Sequence, residues 1–347
     1  MPQIIVVSPP GSGTGLLNQA TTALGYTPHG TMSAAQPTED QRPVPGETYP
    51  LLLAGYGQDE AVRLLHVKGH ELQDAFQAAV SAAWRVWWMR LGQPVTHACP
   101  LDTGLEARLS RLPAHDLYTL LPGRGCWYLT CLDLARADAD FLRTWHTGGH
   151  PKIVYHHRDI RDRIIHQIRI LSQPPADPAT SMPGHLVYHR ILGALPTLDA
   201  KITLALSDPN FPGLQEARRS RWLLHHPEVC VIRHEDLAGP ALGGSTQARD
   251  KSLARLHAAA GNPDSTPAWP AHASPAGDKD DVDTLSVGAW RTCFTPAHER
   301  LLEQCHSDLL TGPAQPVTSQ PNTPAPHSSL PAARGNVRDR LQEHSGN

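Results

Sequence analysis

The sequence predicts an α/β protein organised around a central parallel sheet flanked by helices. Three observations predict it. The chain opens on an apolar run, Ile4 to Val7, that stops at "PPGSG" and passes into a helical stretch. Three later apolar runs, "CWYLT" (126–130), "KIVYHH" (152–157) and "EVCVIR" (228–233), are separated by helical patterns. Strand, glycine-bearing turn and helix together make the opening unit of such folds.

Taken in order, residues 3–8 read as a buried strand ending in a tight turn. A helix is expected from Thr14 through "LLNQATTALG", with Gly25 as its stop. Residues 27–60 are rich in Pro, Gly and Thr and read as irregular. A long helix follows over 69–91, where Trp84, Trp87 and Trp88 stand at i, i+3 and i+4 and are expected to pack the core. Strands 126–130 and 152–157 flank a helix around "ADADFLRTW", and another helix runs from Asp162 to about Leu171. Residues 173–215 are broken by prolines into short helices. Strand 228–237 ends in a polar pair, and a helix follows over 247–260. Residues 262–283 read as loop, with the acidic cluster "DKDDVD". The last helix spans 295–310, with Thr295 as cap and Pro296 at its first position. The domain is thus expected over 1–312. Residues 313–347, rich in Pro, Ser, Gln and Asn, read as a disordered tail.

Composition excludes several classes. With 347 residues and a formal charge of −3, the chain has room for a large core and lacks the basic surplus of a nucleic-acid or membrane-surface binder. No run of eighteen apolar residues is present, and the start has no secretory pattern, so a cytoplasmic protein is expected. The six cysteines lack paired spacing and read as reduced thiols. His66 and His70 lie one helical turn apart, but no further ligand stands at useful spacing, and no metal is expected. His156 and His157 are adjacent on a strand and point to opposite faces.

Two motifs carry chemistry. "SPPGSGTG" places backbone amides around a hollow at a helix N-terminus, where unpaired N–H groups and the helix dipole favour an anion. No lysine follows Gly15, which counts against nucleoside triphosphate hydrolysis or a kinase. "YHHRDIRDRIIH" is a strand leading into a helix. Its Arg158 could grip a phosphate with two parallel hydrogen bonds, or simply belong to a salt-bridged helix start.

Together these segments resemble the sulfotransferases that use 3′-phosphoadenosine 5′-phosphosulfate (PAPS). In that family the first loop reads P-[KR]-S-G-[TS]-[TN] and wraps the 5′-phosphosulfate, and a later R-[DN]-P-[KR]-D-x-x-x-S segment binds the 3′-phosphate. Here "PGSGTG" is similar to the first, with Ser12, Gly13 and Thr14 matching, Gly15 following, and Gly11 in the place of the usual cation. "RDIRDRIIH" is similar to the second, with Arg158 matching and His166 where serine is usual. "CVIRHEDLAGP" resembles the family's R-[YF]-E-D-L strand end. "VGAWRTCFT" resembles its closing G-x-W-R-x-x-F-T segment, which offers Arg291. The likeness runs from about residue 3 to 310 and implies a single P-loop-like sulfotransferase domain.

The resemblance implies sulfuryl transfer from PAPS to a hydroxyl or amine of a small-molecule acceptor, without a metal. It also implies that Gly11, Ser12, Gly13, Thr14, Gly15, Arg158, His166 and Arg291 would face the co-substrate. The family's base falls at Cys131, whose thiol is largely protonated at neutral pH; His97 in "VTHACP" is the alternative. Where a basic segment commonly closes over the 3′-phosphate, this chain has Asp283, Thr284 and Leu285 behind Asp280 and Asp281, with Lys279 close by. These departures fall at functional positions, so a binding module of the same fold that has lost transfer is the competing expectation.

Overall fold

The structure is a computed structural model that describes residues 3–29, 45–67, 70–92, 102–121, 123–148, 151–175, 184–260 and 286–310. Its centre is a five-stranded sheet, β1 (Ile4–Val7), β2 (Thr27–His29), β3 (Gly125–Leu129), β4 (Lys152–His157) and β5 (Val229–Arg233). The spatial order is β2-β3-β1-β4-β5, and every pairing is parallel. β1 lies in the middle, and all four of its side chains are fully buried. A parallel strand covered on both faces needs a continuous apolar run rather than an alternating one, which is why "IIVV" forms it.

The helices are α1 (Thr14–Ala23), α2 (Pro45–Tyr56), α3 (Gln58–His66), α4 (Glu71–Arg90), α5 (Thr103–Leu109), α6 (Ala114–Leu120) and α7 (Ala139–Gly148) in the first half. They continue as α8 (Ile160–Ser172), α9 (His185–Gly193), α10 (Leu198–Ser207), α11 (Leu214–Ser220), α12 (His234–Leu237), α13 (Thr246–Ala259) and α14 (Pro296–His306). One sheet face, through Ile5, Val7, Trp127, Leu129, Ile153 and Tyr155, packs on residues from α2 to α7. The other, through Ile4, Val6, Cys126, Tyr128, Val154 and Ile232, packs on α1 and α13. A third apolar cluster joins α8, α9, α10, α11 and α14.

The α4 tryptophans belong to the core, as expected: Trp84, Trp87 and Trp88 are buried, and Trp87 meets Phe141 edge-on with ring centroids 5.2 Å apart. α14 starts as its sequence predicts. Thr295 accepts from the His298 amide at 3.4 Å, and the His298 ring accepts from the Thr295 amide at 3.2 Å, with Pro296 beginning the helix.

Residues 27–60 depart from the irregular segment expected. Three of them form β2, which pairs with β3, and Pro45–Tyr56 form α2 with Pro50 inside it. Leu51 and Leu52 of α2 are fully buried, so burial outweighs the backbone hydrogen bond that Pro50 cannot donate. α8 begins at Ile160, two residues earlier than expected, because the Asp159 side chain accepts from the Arg161 amide at 2.9 Å and caps it. The strand expected over 228–237 ends at Arg233, where "HEDL" turns into α12. The acidic loop residues 278–285 and the tail 313–347 lie outside the described residues. No described helix is long and apolar enough to cross a membrane.

Candidate functional site

The two motifs meet at the carboxyl end of the sheet. Val7 of β1 is in register with Tyr155 of β4 and with Leu129 of β3. Continuing that register sets Ser8 beside His156, and their side chains are hydrogen bonded, Ser8 Oγ to His156 Nδ1 at 3.1 Å. The bend after β1 therefore leaves the sheet between the chain that follows β3, which carries Cys131, and the chain that follows β4, which carries Arg158. From β1 the chain leaves toward β2 at one edge; from β4 it leaves toward β5 at the other. That divergence makes the carboxyl ends of β1 and β4 the switch point of the sheet, the place where open parallel sheets bind ligands.

The bend is held by its backbone. Ser12 donates its amide to Pro9 O at 3.1 Å, and Gly11 and Gly13 both adopt left-handed conformations, φ 82° and 83°. Gly13 caps α1 without a side-chain bond, and the first amides of a helix have no partner within it. The Ser12 hydroxyl is fully buried and has no hydrogen-bond partner among the described residues. Ser8 ties the bend down by bonding Thr14 Oγ1 at 2.9 Å.

The surroundings explain the glycines. A Cβ at Gly13 would lie 2.4 Å from Nδ1 of His234, the residue that opens α12, and one at Gly11 would lie 3.0 Å from Arg163 O. Arg163 holds the bend from beneath, donating Nε to Pro10 O at 3.3 Å and Nη2 to Gly213 O at 2.6 Å. Gln167 is buried, has both side-chain polar atoms unpartnered among the described residues, and flanks Gly11. Burial, reinforced by His234, holds His156 well below the usual imidazole range, so its ring is neutral.

Arg158 is 3% exposed and donates Nη2 to Ser286 O at 3.1 Å. Burial lowers its pKa, and nearby Asp162, Glu235 and Asp159 counter that by favouring the charged form. Asp162 accepts from the amides of Gly288 at 2.8 Å and Trp290 at 2.9 Å; burial raises its pKa against the pull of those amides. Burial would also raise Asp159, but bonds from Arg161 outweigh it and its pKa is lowered. Glu235 accepts from the Asp159 amide at 2.7 Å, and burial raises its pKa. Arg161 lies 3.7 Å over the Trp290 ring. The "RDIRD" segment is therefore also a clasp that fastens residues 286–290 to the start of α8.

The other expected residues divide. His166 lies near Arg158, and burial, with Arg158 and Arg169 adding to it, lowers its pKa to about 3, so it is neutral. Cys131 flanks the bend but is 3% exposed, next to Leu132, whose amide bonds Ser220 Oγ and whose carbonyl accepts from Trp222 Nε1. Arg291 is exposed and sits 5.2 Å from the centre of Trp290's ring, with no contact to the bend among the described residues. His97, Lys279, Asp280, Asp281, Asp283, Thr284 and Leu285 lie outside the described residues.

His156, Arg163, Gln167 and His234 were not singled out as site residues by sequence reasoning. His234 stood in the quoted "RHEDL", but only the fold brings it against Gly13. Among the described residues no group of three or more His, Cys, Asp or Glu could hold a metal ion. The chain matches no family model, no curated protein and no solved structure.

Proposed function

We propose that the chain has a P-loop-like sulfotransferase fold and binds PAPS, with the bend after β1 around the 5′-phosphosulfate and Arg158 at the 3′-phosphate. In this reading it transfers the sulfuryl group to a hydroxyl or amine of a small-molecule acceptor. The acceptor oxygen or nitrogen attacks sulfur, the bond from sulfur to the bridging phosphate oxygen breaks, and 3′-phosphoadenosine 5′-phosphate departs. One observation carries the reading: a glycine-shaped bend, whose buried Ser12 hydroxyl has no partner among the described residues, and a buried arginine follow adjacent parallel strands at the carboxyl end of the sheet. Unpaired amides and a guanidinium are the groups that anionic phosphates recruit.

A second reading, nucleotide binding without transfer, is favoured by position 11. The bend has no side chain there, and its left-handed φ and the nearby Arg163 carbonyl oppose one. A missing charge-stabilising donor costs roughly 10²–10³ in rate. The candidate base Cys131 is buried, and a lost general base costs roughly 10²–10⁴ more.

Calorimetric titration with 3′-phosphoadenosine 5′-phosphate, against ATP as comparison, tests the shared part. Binding that weakens by roughly tenfold or more in Arg158→Ala is expected from the loss of charge-assisted bonds. A wild-type chain that does not bind the bisphosphate overturns both readings. Where it binds, sulfate transfer from PAPS to a panel of phenols and amines separates enzyme from binding module.

A further inference from the structure

A cavity of about 670 Å³ lies between α8, the start of α10 and residues 286–293, with no residue of the bend in its lining. On α8 it is lined by Ile165, Ile168, Arg169 and Ser172, which share one helix face at i, i+3, i+4 and i+7. Leu198 and Val287 extend the apolar wall. The polar groups are of one kind: two cations, Arg169 and Lys201, with hydroxyls, and no carboxylate side chain among the described lining residues. Lys201 is half-buried. Its amine reaches the Ser172 hydroxyl at 3.4 Å and pairs with no carboxylate among the described residues. The ten-residue helix α10 adds its N-terminus: Thr197 caps it, accepting from the Ala200 amide at 3.2 Å, and lines the cavity. Asp199, the one acid in that first turn, faces His298 at 3.2 Å instead.

A half-buried ammonium beside an apolar wall, with no carboxylate partner among the described residues, favours an anion, and the helix dipole adds to the pull. The volume suits a small molecule rather than a lone ion. We propose that this cavity binds a small organic anion with an apolar body, a medium-chain or aryl carboxylate, its head at Lys201, Arg169 and the α10 N-terminus and its body along Ile165, Ile168, Leu198 and Val287. The site does not depend on the nucleotide reading. It shares a wall with the clasp, because Ser286 and Gly288 line the cavity and are held from behind by Arg158 and Asp162.

Cys293 also lines the cavity and supplies a reporter, while Cys305 is exposed elsewhere. The full chain is alkylated with iodoacetamide in the presence of octanoate, octylammonium or octanol, and each cysteine is followed by mass spectrometry. Octanoate is expected to slow alkylation of Cys293 and leave Cys305 unchanged, with octylammonium giving no protection. Lys201→Gln is expected to raise the octanoate concentration for half-protection by roughly tenfold or more, as for the loss of a charge-assisted hydrogen bond. Leu198→Asp, at a 43% exposed position, puts a carboxylate at the rim and is expected to do the same without disturbing the fold. Protection by octylammonium equal to that by octanoate, equal slowing at Cys305, or no protection by octanoate overturns the proposal.

Discussion

The bend after β1 is a backbone feature, shaped by Gly11 and Gly13, and no charged side chain stands between Ser8 and Gly15. At the start of α8, on the neighbouring strand, they are side chains: Arg158, Asp159, Arg161, Asp162 and Arg163. Both lie at the carboxyl end of the sheet, on adjacent strands. A backbone site is sensitive to the space beside each Cα and indifferent to pH. A side-chain site tolerates backbone change and responds to charge. The shape of the bend therefore does not depend on a charged side chain, whereas the α8 start cannot lose a charge without releasing what it holds.

The largest test of this contrast is Gly13→Ala. A left-handed alanine costs about 1–2 kcal/mol, and the clash with His234 adds about 1–3 kcal/mol of overpacking. Urea denaturation should show that sum, and His234→Ala in the same chain should recover the clash component but not the backbone one. A neutral Gly13→Ala would mean that the bend is not rigid. Gly11→Lys, which would place a cation in the bend, meets the same left-handed strain, so Gly11→Ala must accompany it as a control.

Next is Asp162→Ala, which leaves the Gly288 and Trp290 amides unpaired beside the buried Arg158. A loss of about 2–3 kcal/mol is expected, with faster hydrogen exchange over 286–292. Unchanged exchange there would break the idea of a clasp.

Acid should sharpen the difference further. His157 is held at about 4 by burial, with Arg233 and Arg163 adding to it, and His166 at about 3. Both are depressed below the ordinary 6.5, so the unfolded chain binds more protons between 6.5 and those values. Their stabilisation is present above 6.5 and is lost as pH falls toward 4. Asp162 and Glu235 are shifted up, and their contribution runs the other way, falling as pH rises from the ordinary carboxylate range through their raised values. A decline of about 2 kcal/mol from His157 alone is expected between pH 6.5 and 4, reduced in His157→Gln. Thermal melts across that range check it.

The smallest effect is Trp290→Leu. It removes the ring under Arg161 and should cost about 0.5–1 kcal/mol beyond lost packing, measured against Arg161→Ala in a double-mutant cycle.

Much of the fold was legible because its signals are local. "IIVV" is an unbroken apolar run of strand length, "KIVYHH" is built around Ile153 to Tyr155, and Thr295-Pro296 carries its own helix start. β2 and α2 were not legible. A three-residue strand containing Pro28 exists through its pairing with β3, and a helix containing Pro50 exists through burial of Leu51 and Leu52. At the site, the glycines and Arg158 were legible from their motifs. His234, Arg163 and Gln167 were not, because each meets the bend from a distant part of the chain.

Sequence alone determined the parallel α/β plan, the glycine-shaped bend and the arginine that follows β4, since each depends on residues adjacent in the chain. Tertiary structure alone decided that bend and arginine follow neighbouring strands, that the arginine's neighbours clasp residues 286–290, and that Lys201 lines a cavity with no carboxylate side chain among its described residues. Those facts depend on strand order and long-range packing, and no local pattern of residues encodes which strands become neighbours.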